Sequence, residues 1–287
     1  MSVRLKPLAA GLALLAVVWL AVGSREGPPR LTFLAVGQGD AIVWQDSGVT
    51  VMVDAGPRTR EGFDAGERIV LPKLRKMGVR RLDLLLITHP DMDHIGGLPA
   101  LAKRYSDLKV GINSGFRDNP DMQAWIRSAK LKEGQLLWIE GRSRFRFGQS
   151  VIEVAAPPVV DGESDNEGSL FVRISRGRAY AVLTGDASME TEMAMQKDLK
   201  WTAQVLKAGH HGSRTSTAAA FVRAINPDWA VVTCGRSNRF DHPHRSVLET
   251  LASNGVDVYR TDLHGDVSFE ARDNGFVPLL RSVAPAP

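Results

Sequence analysis

Short apolar runs, each closed by glycine, aspartate or histidine, recur from residue 31 to residue 270. The runs 31–36 and 41–45, joined by Gly37-Gln38-Gly39-Asp40, and the run 49–54 before Ala55-Gly56-Pro57 predict a β-meander. Residues 69–76 have helical character, with Gly78 as a stop. The almost wholly apolar stretch 82–88 reads as a strand buried on both faces. A polar, glycine-ended segment follows at 89–97, then a helix over 98–105. Beyond a short helix at 122–129, strands are expected at 136–140, 144–147 and 151–155, and the loop 157–167 is dense in Pro, Gly, Asp and Glu. Residues 170–174 and 179–183 form a hairpin through Arg176-Gly177. Helices at 189–199, 218–224 and 246–253 alternate with strands at 203–207, 229–233 and 256–260, and 267–270 adds a last strand. No repeat of fixed period is present. Two mixed sheets with outer helices fit this order best, with polar loops collected at one sheet edge.

Composition narrows the picture modestly. The 287 residues are 44% hydrophobic and 24% charged, which fits a globular chain and argues against global disorder. The net charge of +4 permits a polyanionic partner without requiring one. No run of five like charges forms a basic arm. The single cysteine, Cys234, excludes an internal disulfide and a cysteine-based zinc cluster, and it sits in an apolar run as a small core residue. Arg4 and Lys6 precede an uncharged stretch at 7–23 ending in Ala21-Val22-Gly23, the pattern of a secretion signal or membrane anchor. The expected organisation is therefore a signal or anchor at 1–23, a linker at 24–30, one folded domain at 31–281 and a flexible tail at 282–287. The expected location is extracellular or periplasmic, membrane-anchored if the first segment is retained.

The sharpest chemical signal is Thr88-His89-Pro90-Asp91-Met92-Asp93-His94-Ile95-Gly96-Gly97. Two imidazoles and two carboxylates on one short loop after a buried strand are a ligand set for divalent ions. An acidic helix-capping loop would account for one aspartate, but not for both histidines. Two histidine pairs, His210-His211 and His242-Pro243-His244, also follow apolar runs. Taken together they favour one shared site over separate structural roles. His264, alone in a turn, is assigned to structure. Asp186, in Thr184-Gly185-Asp186, either bridges two ions or caps the helix after it, and the surrounding histidines favour the ligand role. Asp54 is expected to support the metal loop through hydrogen bonds, and Asp40 is grouped with it. A phosphate-cradling Gly-Lys-Ser/Thr loop and a Gly-x-Ser-x-Gly nucleophile elbow are both absent, so no organic cofactor is expected.

These residues resemble a known family. His89-x-Asp91-x-Asp93-His94 is similar to the His-x-His-x-Asp-His signature of the metallo-β-lactamase superfamily, with Asp91 in place of the second histidine. With Gly37-Gln38-Gly39-Asp40, Asn166-Glu167-Gly168-Ser169-Leu170, Thr184-Gly185-Asp186, Lys207-Ala208-Gly209-His210-His211-Gly212-Ser213 and Asp241-His242-Pro243-His244, the set resembles the metallo-β-lactamase domain of ComEC-type competence proteins. The resemblance implies an α/β fold, a four-layer αββα sandwich, with two divalent ions, manganese or zinc, at its edge. It implies that His89 and Asp91 hold one ion, and that Asp93, His94 and His210, preferred over His211 as nearer the strand end, hold the other. Asp186 would bridge them, and His242, His244, Ser213 and His211 would serve catalysis. Replacing a histidine by Asp91 hardens the ligand set and leans it toward manganese or magnesium. Arg214, Arg236, Arg239 and Arg245 are candidates for non-specific contact with DNA phosphates. The implied function is an exported phosphodiesterase, a sequence-non-specific DNA nuclease linked to DNA uptake. ComEC-type proteins join this domain to a multi-helix channel, so a separate membrane channel is an expected partner. The alternatives are a hydrolase of a small phosphoester or lactam, and a non-catalytic binding module.

Overall fold

A computed structural model describes residues 27–279; the expected signal segment 1–23 and tail 282–287 lie outside the described residues. The chain opens with the expected meander, strands β1 (Arg30–Phe33), β2 (Ile42–Asp46) and β3 (Val49–Val53), all antiparallel. Strands β4 (Leu84–Ile87), β5 (Lys109–Asn113) and β6 (Leu136–Ile139) then add in parallel. The second sheet repeats this plan. Strands β7 (Arg142–Phe147), β8 (Ser150–Ala155), β9 (Phe171–Arg176) and β10 (Ala179–Leu183) form an antiparallel meander. Strands β11 (Val205–Lys207), β12 (Trp229–Val232) and β13 (Asp257–Arg260) extend it in parallel. Finally β14 (Val267–Arg272) and β15 (Gly275–Pro278) return to the first sheet, whose order is 15-14-1-2-3-4-5-6.

Strand alternation decides which side chains meet between the sheets. In β4, Leu84 and Leu86 enter the inter-sheet core with Leu183 and Val205. Leu85 and Ile87 face the other way, under helices α1 (Leu71–Lys76), α3 (Leu98–Arg104) and α4 (Pro120–Ser128), where Leu74, Leu101 and Met122 meet them. Each such burial contributes about 1.5–3 kcal/mol before chain entropy is counted. Helices α5 (Met189–Leu199), α6 (Ala219–Ile225) and α7 (Arg245–Ser253) cover the second sheet through Met195 and Leu199, Phe221 and Val222, and Leu251 respectively. Helix, sheet, sheet and helix layers result. The two remaining α-helices among the described residues are single turns, α2 (Met92–Ile95) inside the segment read as a polar loop and α8 (Thr261–His264).

Two strands have no clear sequence signature. Gly111 and the polar ends of β5 break its apolar run, and parallel pairing with β4 and β6 holds it. β15 ends in Pro278 at the sheet edge, where a missing N–H interrupts no ladder.

The two ends of the sandwich are tied differently. At the β2–β3 hairpin end, Trp44 Nε1 donates to Ser150 Oγ at 3.1 Å, and that hydroxyl donates to Asp46 Oδ2 at 2.6 Å. At the other end, the loops after the parallel strands close over one another through backbone contacts. A Cβ on Gly97 would lie 2.2 Å from the Ala55 carbonyl oxygen, and one on Gly39 2.2 Å from that of Asp93. Gly97→Ala is therefore expected to lower unfolding free energy by about 1–3 kcal/mol, the cost of overpacking a rigid contact. Gly134→Ala, with nothing within 4 Å, is the control and should be near neutral in the same urea titration.

Candidate metal centre

The C-terminal ends of β3, β4, β10, β11 and β12 point to the same edge, and each delivers a polar residue there: Asp54, Thr88 and His89, Asp186, His211 and Thr233. Asp54 stands at φ 60, fully buried. Its Oδ1 accepts from the Thr88 N–H at 2.8 Å, and its Oδ2 lies 2.8 Å from His94 Nδ1. The carboxylate has no proton to give, so His94 Nδ1 donates and its Nε2 carries the lone pair. His211 is oriented the same way by the Thr233 carbonyl, 2.8 Å from its Nδ1.

Both Nε2 atoms consequently aim at one point. They lie 3.2 Å apart, and Asp186 Oδ2 is 3.2 Å from the first and 3.3 Å from the second. Asp93 Oδ2 joins at 3.3 Å from His211 Nε2. The triangle of His94 Nε2, His211 Nε2 and Asp186 Oδ2 has room for an ion about 2.0 Å from each corner, the distance at which imidazole nitrogen and carboxylate oxygen bind divalent metals, and Asp93 approaches from the His211 side. Two imidazole Nε2 atoms 3.2 Å apart are satisfied by a proton shared between them or by a metal ion that both ligate.

It is His211, not the expected His210, whose nitrogen reaches this point. Both residues have left-handed backbones, φ 54 for His211 and φ 48 for His210, so the chain reverses within the pair. His210 is turned toward the rim, partly exposed, with its Nε2 3.7 Å from Asp186 Oδ2. His89 sits on the far side of His94, with ring centroids 4.2 Å apart. Its Nδ1 meets Thr88 Oγ1 at 3.0 Å and Ser169 Oγ at 3.3 Å. Its Nε2 is buried without a hydrogen-bond partner and faces half-exposed Asp91 at 3.7 Å. A buried lone pair beside a carboxylate suits a second cation.

Asp40, His94, Asp186 and His211 also fall within one 4.8 Å cluster, but Asp40 stands behind the imidazoles. Its oxygens approach Nδ1 of His94 at 3.7 Å and Nδ1 of His211 at 3.6 Å. Lys207 Nζ pairs with Asp40 Oδ2 at 2.7 Å and with Asp186 Oδ1 at 3.2 Å, which leaves Asp186 Oδ2 free for the centre. The sequence reading gave Lys207 no role; its one signal is a lysine ending the apolar run Val205-Leu206.

Four carboxylates, Asp40, Asp54, Asp93 and Asp186, thus gather here with one ammonium group, which pairs with Asp40 and Asp186, and the imbalance shifts the neighbouring ionisable groups. Burial alone would depress the His211 imidazole, but Asp186 and Asp40 outweigh it and push it up to about 9. His94 is likewise raised, against burial, by Asp186 and Asp54. Asp186 is held well below the usual carboxylate range, since His211, His94 and Lys207 overcome its desolvation.

The remaining candidates lie around the mouth. His242 Nδ1 meets Gln38 Nε2 at 3.3 Å, and its ring is 5.8 Å from that of His210. His244 is one ring further out, 5.3 Å from His242. Ser213 Oγ is engaged with Thr215 Oγ1 at 3.0 Å. Arg214 is exposed, and exposed Arg239 lies 4.8 Å over the Phe240 ring. Arg236 donates to the Asp262 carbonyl, and Arg245 pairs with Glu249 at 2.8 Å along α7, so the structure turns both toward neighbours within the chain.

The profile of the Metallo-beta-lactamase superfamily matches residues 34–236. With that match and the αββα sandwich, the chain belongs to the metallo-β-lactamase superfamily. Among relatives, it is 29% identical over 265 residues to ComE operon protein 3 of Bacillus subtilis (strain 168), covering 87% of this chain and 34% of that one. It is 29% identical over 251 residues to Competence protein ComA of Neisseria gonorrhoeae, covering 85% and 32%. The chain therefore spans about a third of the length of these relatives. A solved structure, the metallo-beta-lactamase fold protein YhfI from Bacillus subtilis, superposes with a TM-score of 0.56 at 14% identity, over 84% of this chain and 99% of that one.

Behind the centre, α5 pins the histidine loop. Buried Glu192 Oε2 accepts from the N–H groups of Thr217 at 2.7 Å and Ala218 at 3.3 Å. Burial raises its carboxyl to about 8, with the two N–H bonds and Lys207 pulling it only part of the way back. An acid whose pKa rises from 4.5 to about 8 on folding favours the native state when protonated, so this contribution falls as pH climbs through that interval. Glu192→Gln should remove it. Urea unfolding with chelator present at pH 5, 6.5 and 8 should show the variant gaining on the parent protein as pH rises, and parallel profiles would contradict the assignment.

Proposed function

We propose that this chain is a metal-dependent phosphodiesterase that cuts DNA without sequence preference, outside the cytoplasm, as part of DNA uptake. The observation that carries the proposal is the convergence of His94 Nε2, His211 Nε2 and Asp186 Oδ2 at 3.2–3.3 Å, with Asp93 Oδ2 3.3 Å from His211 Nε2 and His89 and Asp91 beside them. Asp93, His94, His211 and Asp186 would hold one ion; His89, Asp91 and Asp186 would hold a second. The oxygen-rich outer set favours manganese or magnesium over zinc. Two divalent ions in such a pocket supply Lewis acidity and lower the pKa of bound water toward neutrality.

The protein's own groups do the rest. Lys207 neutralises one oxygen of Asp186 and fixes the other toward the centre. Gln38 Oε1 accepts from the Gly235 N–H, so its amide nitrogen donates to His242 Nδ1. His242 then carries its proton on Nε2 and presents a neutral hydrogen-bond donor to a phosphoryl or leaving oxygen. Burial, followed by the neighbouring histidines His211, His210 and His244, holds the ring down at about 4, consistent with that neutral form. Arg214 and Arg239, both exposed, would meet the phosphates of a bound strand. The resemblance to competence proteins supports DNA as the substrate, and the apolar segment at 7–23 supports export.

The test is cleavage of linear single- and double-stranded DNA by metal-stripped protein, resupplied with manganese, magnesium or zinc. Metal should restore cutting at many positions. Asp93→Ala and His94→Ala should each reduce it by more than about a hundredfold, beyond the loss expected from removing an outer partner of a ligand. Turnover of only a small chromogenic phosphodiester or a lactam would move the substrate elsewhere.

A further inference from the structure

A second cluster of charge lies away from the metal centre. In β7 the residues alternate strictly: Phe145 and Phe147 pack against the inter-sheet core, and Arg142, Arg144 and Arg146 stand exposed on the outer face. β7 is the edge strand of its sheet. Cross-strand register places Glu153 beside Arg144 and Arg173 beside Glu153. Glu153 takes Arg144 Nη2 at 2.7 Å and Arg173 Nε at 2.7 Å. Among the described residues, Arg142 and Arg146 make no ion pair, so four arginines face one carboxylate. Arg173 also lies 5.3 Å over the Trp201 ring, and a cavity of about 240 Å³ opens between Trp201, Leu199, Arg142, Arg144 and Glu153.

We infer that this face is a track for the backbone of a single nucleic-acid strand leading to or from the metal centre, an inference that rests on the nuclease reading above. Alternate residues of a strand stand about 6.7 Å apart. That interval is comparable to the separation of successive phosphates along an extended strand, so three arginines in register suit three phosphates. The cavity beside Trp201 offers a slot for a flat base next to the charged rail, the pairing that sequence-independent single-strand binders use. The rail also begins at the right end of the sheet. Arg142 is in register with Ala155, and Ala155 with Phe171. Phe171 is two residues from Ser169, whose hydroxyl touches His89. Charged side chains also keep an edge strand from pairing with another chain. That role explains the charge, but neither its single sign nor the tryptophan-lined cavity.

The experiment compares the parent chain with the triple variant Arg142→Ser/Arg144→Ser/Arg146→Ser and the single variant Arg146→Ser, which is clear of Glu153 and covers a triple variant that fails to fold. Binding of fluorescent dT20 is read by anisotropy across salt concentrations in chelator, and hydrolysis of a chromogenic phosphodiester is read with manganese. The triple variant should lose about tenfold or more in dT20 affinity, and its log–log salt slope should shrink by about 2, from about 0.7 per lost phosphate contact; Arg146→Ser should shift the slope by about 0.7. Hydrolysis of the small diester should not change. Unchanged dT20 affinity and slope would overturn the track, as would variants that self-associate while binding dT20 normally. Failure of the nuclease reading is distinct: the parent chain would then leave DNA intact with manganese, whether or not it turns over the small diester.

Discussion

Uncompensated negative charge buried at one edge of a sheet sandwich is the constraint around which this protein is arranged. Asp40, Asp54 and Asp186 are removed from water and Asp93 is partly so, with Lys207 as the one ammonium among them. Such a group is costly to bury unless cations complete it. The imidazoles supply part of the answer by taking up protons more readily than free histidine does. The spacing of their Nε2 atoms points to a fuller one, a divalent ion held between them.

The topology explains how the charge comes together. Each sheet begins as a meander and ends as parallel strands, and parallel strands send all their C-terminal ends to the same edge. Residues as far apart in the chain as Asp54 and Thr233 come to orient the two imidazoles of one site, Asp54 holding His94 and Thr233 holding His211. Left-handed backbones at Asp54, His210 and His211 sit in this edge, where the surrounding contacts hold conformations that an open loop would abandon. The opposite end, stitched by Trp44, Ser150, Asp46 and Arg176, keeps the sheets in register without taking part in the chemistry.

Much of this was legible in the linear chain, for reasons specific to each element. Residues 82–88 declare a buried strand because both faces are apolar, and the histidines and carboxylates at 89–94 follow it directly. What escaped depends on three-dimensional pairing. β5 exists because its neighbours hold it, and its Gly111 hides it from any pattern. The choice between His210 and His211 turns on two successive left-handed residues, which no spacing rule encodes. The Thr233 carbonyl that orients His211 is backbone and carries no residue signature. Lys207 looks like an ordinary strand-end lysine until Asp40, far away in sequence, is brought against it.

The most direct test of the account is anomalous diffraction from crystals of the protein soaked with manganese or zinc. A peak within about 2.0–2.3 Å of His94 Nε2, His211 Nε2 and the carboxylates of Asp93 and Asp186 is the predicted result. Well-ordered side chains there with no peak at saturating metal, or a peak bound only by surface residues, would contradict it.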